Sequence, residues 1–251
     1  MRTAALLLVL LAAGCGGRAS STPPTTLAHV LAAKARTCTA GSLVALGTAR
    51  KAYVGVAPHG ATAASRPGGR IVARFGRVNV NDYPTVFGVL GAVVHRDCTP
   101  AWYRVQLPVR PNGSVGFVRA KDLELQTVDV RIEVDVSQRR LTLFRSGRPL
   151  IRATVAVGSP STPTPVGRFY VNQRLVPSDT NGPFGPGAVG ISAFSNVLTG
   201  WTQGGPVAIH GTNEPWSIGH NVSNGCIRLP NATLVRVFRL AVAGTPVIIH
   251  P

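Results

Sequence analysis

His210-Gly211-Thr212-Asn213 and Ser223-Asn224-Gly225-Cys226-Ile227-Arg228, with the cysteine sixteen positions after the histidine, decide how this chain is read. The apolar run Val207-Ala208-Ile209 ends on His210, so a strand is expected to deliver the imidazole. Cys226 follows a glycine in a polar turn, where an exposed thiol is expected. A free thiol titrates near pH ~8.5, and an imidazole within reach lowers that value and supplies thiolate at neutral pH. The plainer reading is a buried free cysteine and an unrelated histidine. It leaves the glycines at 211 and 225, and the arginine two positions past the cysteine, without a reason.

These residues resemble the signature of the L,D-transpeptidases, whose catalytic domain is often called YkuD. That signature is a histidine followed by glycine, then Ser-x-Gly-Cys-x-Arg or Ser-x-Gly-Cys-x-Asn. A second block, Gly158-Ser159-Pro160-Ser161-Thr162-Pro163-Thr164-Pro165-Val166-Gly167-Arg168-Phe169, is similar to the family's upstream Pro-Thr-Pro-x-Gly-x-Phe segment. The resemblance covers residues 128–250, roughly, with both blocks in the family's order. Asn224 departs from it, since many members have a second histidine there. The resemblance implies a β-rich catalytic domain acting on peptidoglycan stem peptides, in cell wall organization and cell shape. Cys226 would acylate at the third residue of a tetrapeptide stem and expel the terminal D-alanine. A side-chain amine on another stem would then give a 3→3 cross-link. Water in its place would make the enzyme an L,D-carboxypeptidase, and a protein acceptor would be anchored to the wall.

In this reading His210 takes the thiol proton and returns it to the leaving amine. Glu214 is the nearby acid, at a turn, so a backbone carbonyl from Gly211–Thr212 is the expected partner that fixes the His210 tautomer. Gly211 removes bulk beside the imidazole, and Gly225 lets the chain turn around an oxyanion. The N–H groups of Asn224, Gly225 and Cys226 are the candidate donors, each worth about 3 kcal/mol in such a site. Arg228 is expected to orient the loop or bind a substrate carboxylate. Thr212, Asn213 and Trp216 are expected on the pocket floor, with Ser223 and Asn224 as polar contacts. Val176–Trp201 reads as a long loop rich in Gly, Pro and Asn, expected to be a lid that carries Phe184, Phe194 and Trp201 over the cysteine. His29, His59, His95, His220 and His250 lack metal-ligand spacing, so neither a metal nor a cofactor is expected.

The chain has 251 residues and a net charge of +17. Arg2 followed by the apolar stretch Ala4–Ala13 reads as an export signal, too short to span a bilayer. Ala12-Ala13-Gly14-Cys15 resembles a lipoprotein processing site, with the usual leucine displaced to Leu11. Residues 1–15 are therefore expected to be a signal ending at a lipidated Cys15, which would attach the protein to the outer face of the membrane. An exported chain permits Cys38 and Cys98 to pair, closing a loop worth about 4 kcal/mol. The basic residues are scattered and not clustered with aromatics, so nucleic acid is not an expected partner. Anionic lipids and wall polymers are the natural partners of such charge, although an arginine-rich composition alone also produces it.

Residues 16–37 read as a tether rich in Ser, Thr, Pro, Ala and Gly. Residues 38–126 hold short apolar runs at Leu43–Leu46, Ala52–Val56, Ile71–Phe75, Val86–Val94, Trp102–Leu107 and Val115–Val118. Trp102-Tyr103-Arg104-Val105 and Gly116-Phe117-Val118 resemble the last strands of a bacterial SH3-like barrel, which would bind wall peptides or act as a spacer. Residues 128–251 form the expected catalytic domain. Val130, Ile132, Val134 and Val136 alternate with polar residues as a half-buried strand. One helix is expected after Asn231 as N-cap, with Leu234, Val237, Phe238 and Ala241 on its core face and Gly244 at its end. The fold class is thus mainly β: a small SH3-like barrel, then a β-rich catalytic domain with one helix, in a monomer. The rival from another class is a wall-binding module without activity. An intact set of Cys226, His210, Gly225 and Arg228 speaks against it.

Overall fold

The computed structural model describes residues 38–251, so the expected signal, Cys15 and the tether lie outside the described residues. The described chain is mainly β, as the apolar runs foretell. The first sheet contains β1 (Leu43–Ala45), β2 (Ala52–Val56), β3 (Ala61–Ala64), β4 (Ile71–Phe75), β5 (Val86–Val94), β6 (Pro100–Gln106), β7 (Val115–Arg119) and β8 (Glu124–Val128). Its order is β4-β3-β7-β6-β5-β2-β8, with β1 also on β5. β5 is a central strand, paired with β1, β2 and β6, and its continuous apolar run matches its burial along nearly its whole length. Phe87, Val89, Tyr103, Val105 and Val118 fill this sheet's core. Cys38 and Cys98 are joined as a disulfide, with Cα atoms 5.4 Å apart.

The second sheet begins with the meander β9 (Val130–Asp135), β10 (Arg140–Arg145) and β11 (Arg148–Thr154). β13 (Gly167–Leu175), β14 (Ala188–Phe194), β15 (Pro206–His210), β17 (Ile227–Arg228) and β18 (Pro246–His250) complete it, in the order β11-β10-β9-β18-β13-β14-β15-β17. β12 (Val157–Gly158) and β16 (Asn221–Ser223) pair separately, in parallel. The one α-helix among the described residues, α1, spans Asn231–Leu240 and buries Leu234 and Val237. Ala241 is also buried and Phe238 packs partly against the same core.

Three expectations need correction. The stretch read as a lid contains β14, buried from Ala188 to Ala193 between β13 and β15. A central strand buried on both faces loses the polar alternation that marks a strand, and the Gly-Pro-Asn flanks hid it. Pro230, not Asn231, occupies the N-cap, and Asn231 uses its side chain elsewhere. The helix stops at Leu240, before Gly244. Gly244 instead has φ +84° and presses on Val54 so closely that no Cβ fits.

Val54 and Val86 of the first sheet belong to the core of the second. The Tyr170 hydroxyl, on β13, donates to the Val86 carbonyl at 3.0 Å. Gly88 lies against its ring, where a Cβ would stand 3.1 Å away. Asn112, in the β6–β7 turn, donates to Phe194 O at 2.7 Å and accepts from Phe194 N at 2.9 Å. Arg110 donates to Ser195 O at 2.6 Å and Gly204 O at 2.7 Å. Removing the hydroxyl in Tyr170→Phe leaves a buried carbonyl without its donor, which costs about 1–2 kcal/mol. Urea unfolding of this variant is expected to show one cooperative transition at lower midpoint. A transition confined to one half of the chain would show that the two cores are independent.

Candidate active site

β15 alternates, so Val207 and Ile209 enter the core while Pro206, Ala208 and His210 share the other face. β17 runs parallel to β15, with Ile209 opposite Ile227 and His210 opposite Arg228. That register carries Cys226 back beside Ala208, across the sixteen residues that separate it from His210 in the chain. The turn before it is held by Ser223, whose hydroxyl donates to Cys226 O at 2.6 Å and accepts from Gly225 N at 3.2 Å. Gly225 has φ +103°, a conformation that favours glycine. The Gly158–Phe169 block underlies this turn. Thr162 Oγ1 donates to Ser223 O at 3.0 Å and Ser159 N to the same oxygen at 2.9 Å.

His210 is 4% exposed. Its Nδ1 lies 2.6 Å from the Gly211 carbonyl. A carbonyl only accepts, so Nδ1 carries the proton and Nε2 is left as the acceptor. Phe184 packs edge-on against the ring, centroids 5.0 Å apart. Phe194 and Trp201 are elsewhere. Phe194 is clamped by Asn112, and Trp201 stands exposed in the β14–β15 loop, at the end of the hairpin away from His210. Thr212 is buried, with its hydroxyl accepting from Glu214 N at 2.9 Å. Asn213, Trp216 and Asn224 are exposed. Arg228 Nη1 pairs with Glu214, and Arg228 Nε is buried without a partner. A cleft of about 560 Å3 opens beside these residues, lined by Asn181, Thr212, Asn213, Pro215 and Asn231 among others. Among the described residues no three His, Cys, Asp or Glu side chains gather as metal ligands.

The electrostatics differ from the expectation of an exposed thiolate. Cys226 is half-buried. Burial pushes its thiol up, against weaker downward pulls from the Ala208 N–H and Arg228. Burial pushes His210 down to about 4, with the Gly211 carbonyl opposing and Arg228 assisting. Desolvation penalises both charged forms, so the resting pair is neutral.

Asn231 escaped sequence reasoning as a site residue. From the first turn of α1 its Oδ1 accepts from Thr212 N at 2.8 Å. A Cβ at Gly211 or Gly185 would strike that same oxygen. Asn231 therefore anchors the segment after His210, and Gly185, next to Phe184, packs close against the same oxygen. Asn-x-x turns and helix caps share its residue type, so only the fold distinguishes this role.

A family model of the L,D-transpeptidase catalytic domain, YkuD, matches residues 129–249. The protein YkuD of Bacillus subtilis (strain 168) is 36% identical over 124 residues, covering 49% of this chain and 68% of that protein. The chain belongs to the YkuD family of L,D-transpeptidases. YqjB of the same organism is 33% identical over 106 residues, covering 38% of this chain and 57% of that protein. A solved Enterococcus faecium L,D-transpeptidase, in a mutant form, is 27% identical with a TM-score of 0.39, covering 48% of this chain and 49% of that chain. The match thus spans about half the length of that structure's chain. In this YkuD-family chain the paired blocks at 158–169 and 210–228 lie against each other, not merely in sequence order.

Three outcomes follow from this geometry. With the thiol pushed up from its ordinary range, iodoacetamide labelling of Cys226 should keep accelerating past about pH 9, without a neutral-pH plateau. The imidazole lies below its ordinary 6.5, so its contribution to stability is full above that value and fades as pH falls through about 4. A labelling plateau at neutral pH would reveal a preformed thiolate instead. Asn231→Ala strips Thr212 N–H of its buried acceptor and should cost about 1–3 kcal/mol in urea titrations. Asn231→Asp keeps an acceptor and should recover most of it, whereas equal stability of all three forms would leave the contact without weight.

Proposed function

We propose that this chain is a peptidoglycan L,D-transpeptidase that works through a Cys226 acyl-enzyme. The observation that carries the reading is the Gly211 carbonyl on His210 Nδ1, which leaves Nε2 as a base on the strand face that meets Cys226. The thiol attacks the carbonyl of the third stem residue as its proton passes to Nε2. A neutral pair makes this proton transfer part of the attack, not a step before it. The tetrahedral oxygen needs N–H donors. Gly225 N already donates to Ser223, which leaves the N–H groups of Asn224 and Cys226 for it. Collapse breaks the amide, the imidazolium protonates the departing D-alanine amine, and a thioester remains. An amine from a second stem then attacks the thioester, loses its proton to His210, and forms the 3→3 cross-link as the thiolate leaves. Water at that step gives the carboxypeptidase product.

Arg228 holds the Glu214 turn and adds positive charge beside the developing oxyanion. Residues 38–126 fit a wall-side SH3-like unit and 128–251 the catalytic unit. The Cys38–Cys98 disulfide suits a compartment outside the cytoplasm, and a lipid on Cys15 would keep the protein at the membrane. The test is Cys226→Ala incubated with purified disaccharide-tetrapeptide, with products read by mass spectrometry. D-alanine release and dimer formation should fall by about a thousandfold or more, as when a covalent nucleophile is removed. Turnover retained in that variant would sink the mechanism.

A further inference from the structure

The β15 face that ends at His210 begins at Pro206, and there it opens into a groove of about 500 Å3 between the two sheets. This volume lies in the range of small-ligand sites. Five side-chain amides line it: Asn79 and Asn81 from the β4–β5 loop, Asn172 and Gln173 from β13, and Gln203 from the β14–β15 loop. Phe75 and Phe194 add apolar walls, Arg74 is the charged residue, and no carboxylate contributes.

Four of the amides are fixed by one another. Asn79 Nδ2 and Asn81 Nδ2 both donate to Gln173 Oε1, at 2.8 and 3.0 Å, and Gln203 Nε2 donates to Asn81 Oδ1 at 2.9 Å. Gln173 is 8% exposed, and with its oxygen filled twice its amide nitrogen keeps its donors for another partner. Asn172 Oδ1 is buried with no hydrogen-bond partner. Preset neutral donors and acceptors beside two phenyl rings suit a ligand with many hydroxyl and amide groups and no net charge. A cation would face Arg74, and the amides themselves carry no charge to favour an anion. A saccharide bearing N-acetyl groups meets the description.

The spacing agrees. Pro206 and His210 are about 13 Å apart at ~3.3 Å per strand residue. Three extended stem residues reach about 10–11 Å. A stem acylated at its third residue would therefore leave its sugar near the Pro206 end. We propose that the groove binds N-acetylated sugars of the glycan strand while the attached stem reaches Cys226. The stem geometry rests on the transpeptidase reading, but the binding itself can be measured without turnover.

The test is calorimetric titration of the full chain with an N-acetylglucosamine tetramer, which carries no peptide, and separately with free tetrapeptide stem. Saturable tetrasaccharide binding is expected, weakened about tenfold or more (~1.4 kcal/mol) in Asn81→Ala and in Gln203→Ala. Gln203 is exposed, so its variant is not expected to perturb folding, and Cys226 labelling should proceed at the parent rate in both. No saturable tetrasaccharide binding, or binding that both variants retain, overturns the proposal. Peptide binding that the two variants abolish, in place of sugar binding, overturns it too. Sugar binding without any acyl transfer would support the groove and sink only the transpeptidase reading.

Discussion

The parallel pairing of β15 with β17 is the constraint on which the rest of the site depends. β17 has two residues, too few to hold a register alone, and parallel pairs are the weaker kind. Its position is fixed from several sides. Leu229 N donates to His210 O at 2.8 Å, and Arg228 exchanges two backbone bonds with Ala156, at 3.0 and 2.9 Å. Ile227 and Leu229 are fully buried on the core side. A slip of one residue would turn Ile227 toward the imidazole and drive Cys226 into the core. Hydrophobic burial on one face thus enforces the placement of the thiol on the other.

Burial also sets the charge state. A carboxylate partner on Nδ1 would favour the imidazolium and with it a resting thiolate. The Gly211 carbonyl orients the ring with much less stabilisation of the cation, and desolvation wins on both groups. Arg228 strengthens this outcome at His210 and opposes it at Cys226, while Glu214 absorbs part of its charge. In the proposed mechanism such a neutral pair keeps the thiol protonated until a substrate carbonyl is in place.

The legible parts of this chain were those whose partners lie close in sequence. The alternation of Val130, Ile132 and Val134 marks β9, and the glycines around His210 and Cys226 mark the site. What resisted reading depends on distant contacts. β14 lost its alternation because it is a central strand, paired on both edges by β13 and β15 and buried on both faces from Ala188 to Ala193. Phe194 looked like a lid residue because its partner, Asn112, lies 82 positions upstream in the other sheet. Asn231 looked like a cap because Thr212 reaches it only after the helix docks. The depressed imidazole could not be foreseen from residue types, since desolvation is a property of the packed site.

These distant contacts bear on how the two sheets relate. The β14–β15 hairpin has Ala188 opposite His210 at one end and Phe194 opposite Pro206 at the other. Asn231 secures the segment just past the His210 end, while Asn112 and Arg110 of the first sheet secure the other. Between them the register shifts from Gly190 to Phe194, an irregularity of the kind that bends a strand locally. A spacer would need neither this irregularity nor two side chains bonded to the hairpin's backbone, nor would it lend Val54 and Val86 to the neighbouring core. The first sheet is better understood as a fixed wall against which the histidine-bearing hairpin is braced. Displacing it would leave the Ser195 and Phe194 carbonyls without their Arg110 and Asn112 donors and would uncover Val54 and Val86.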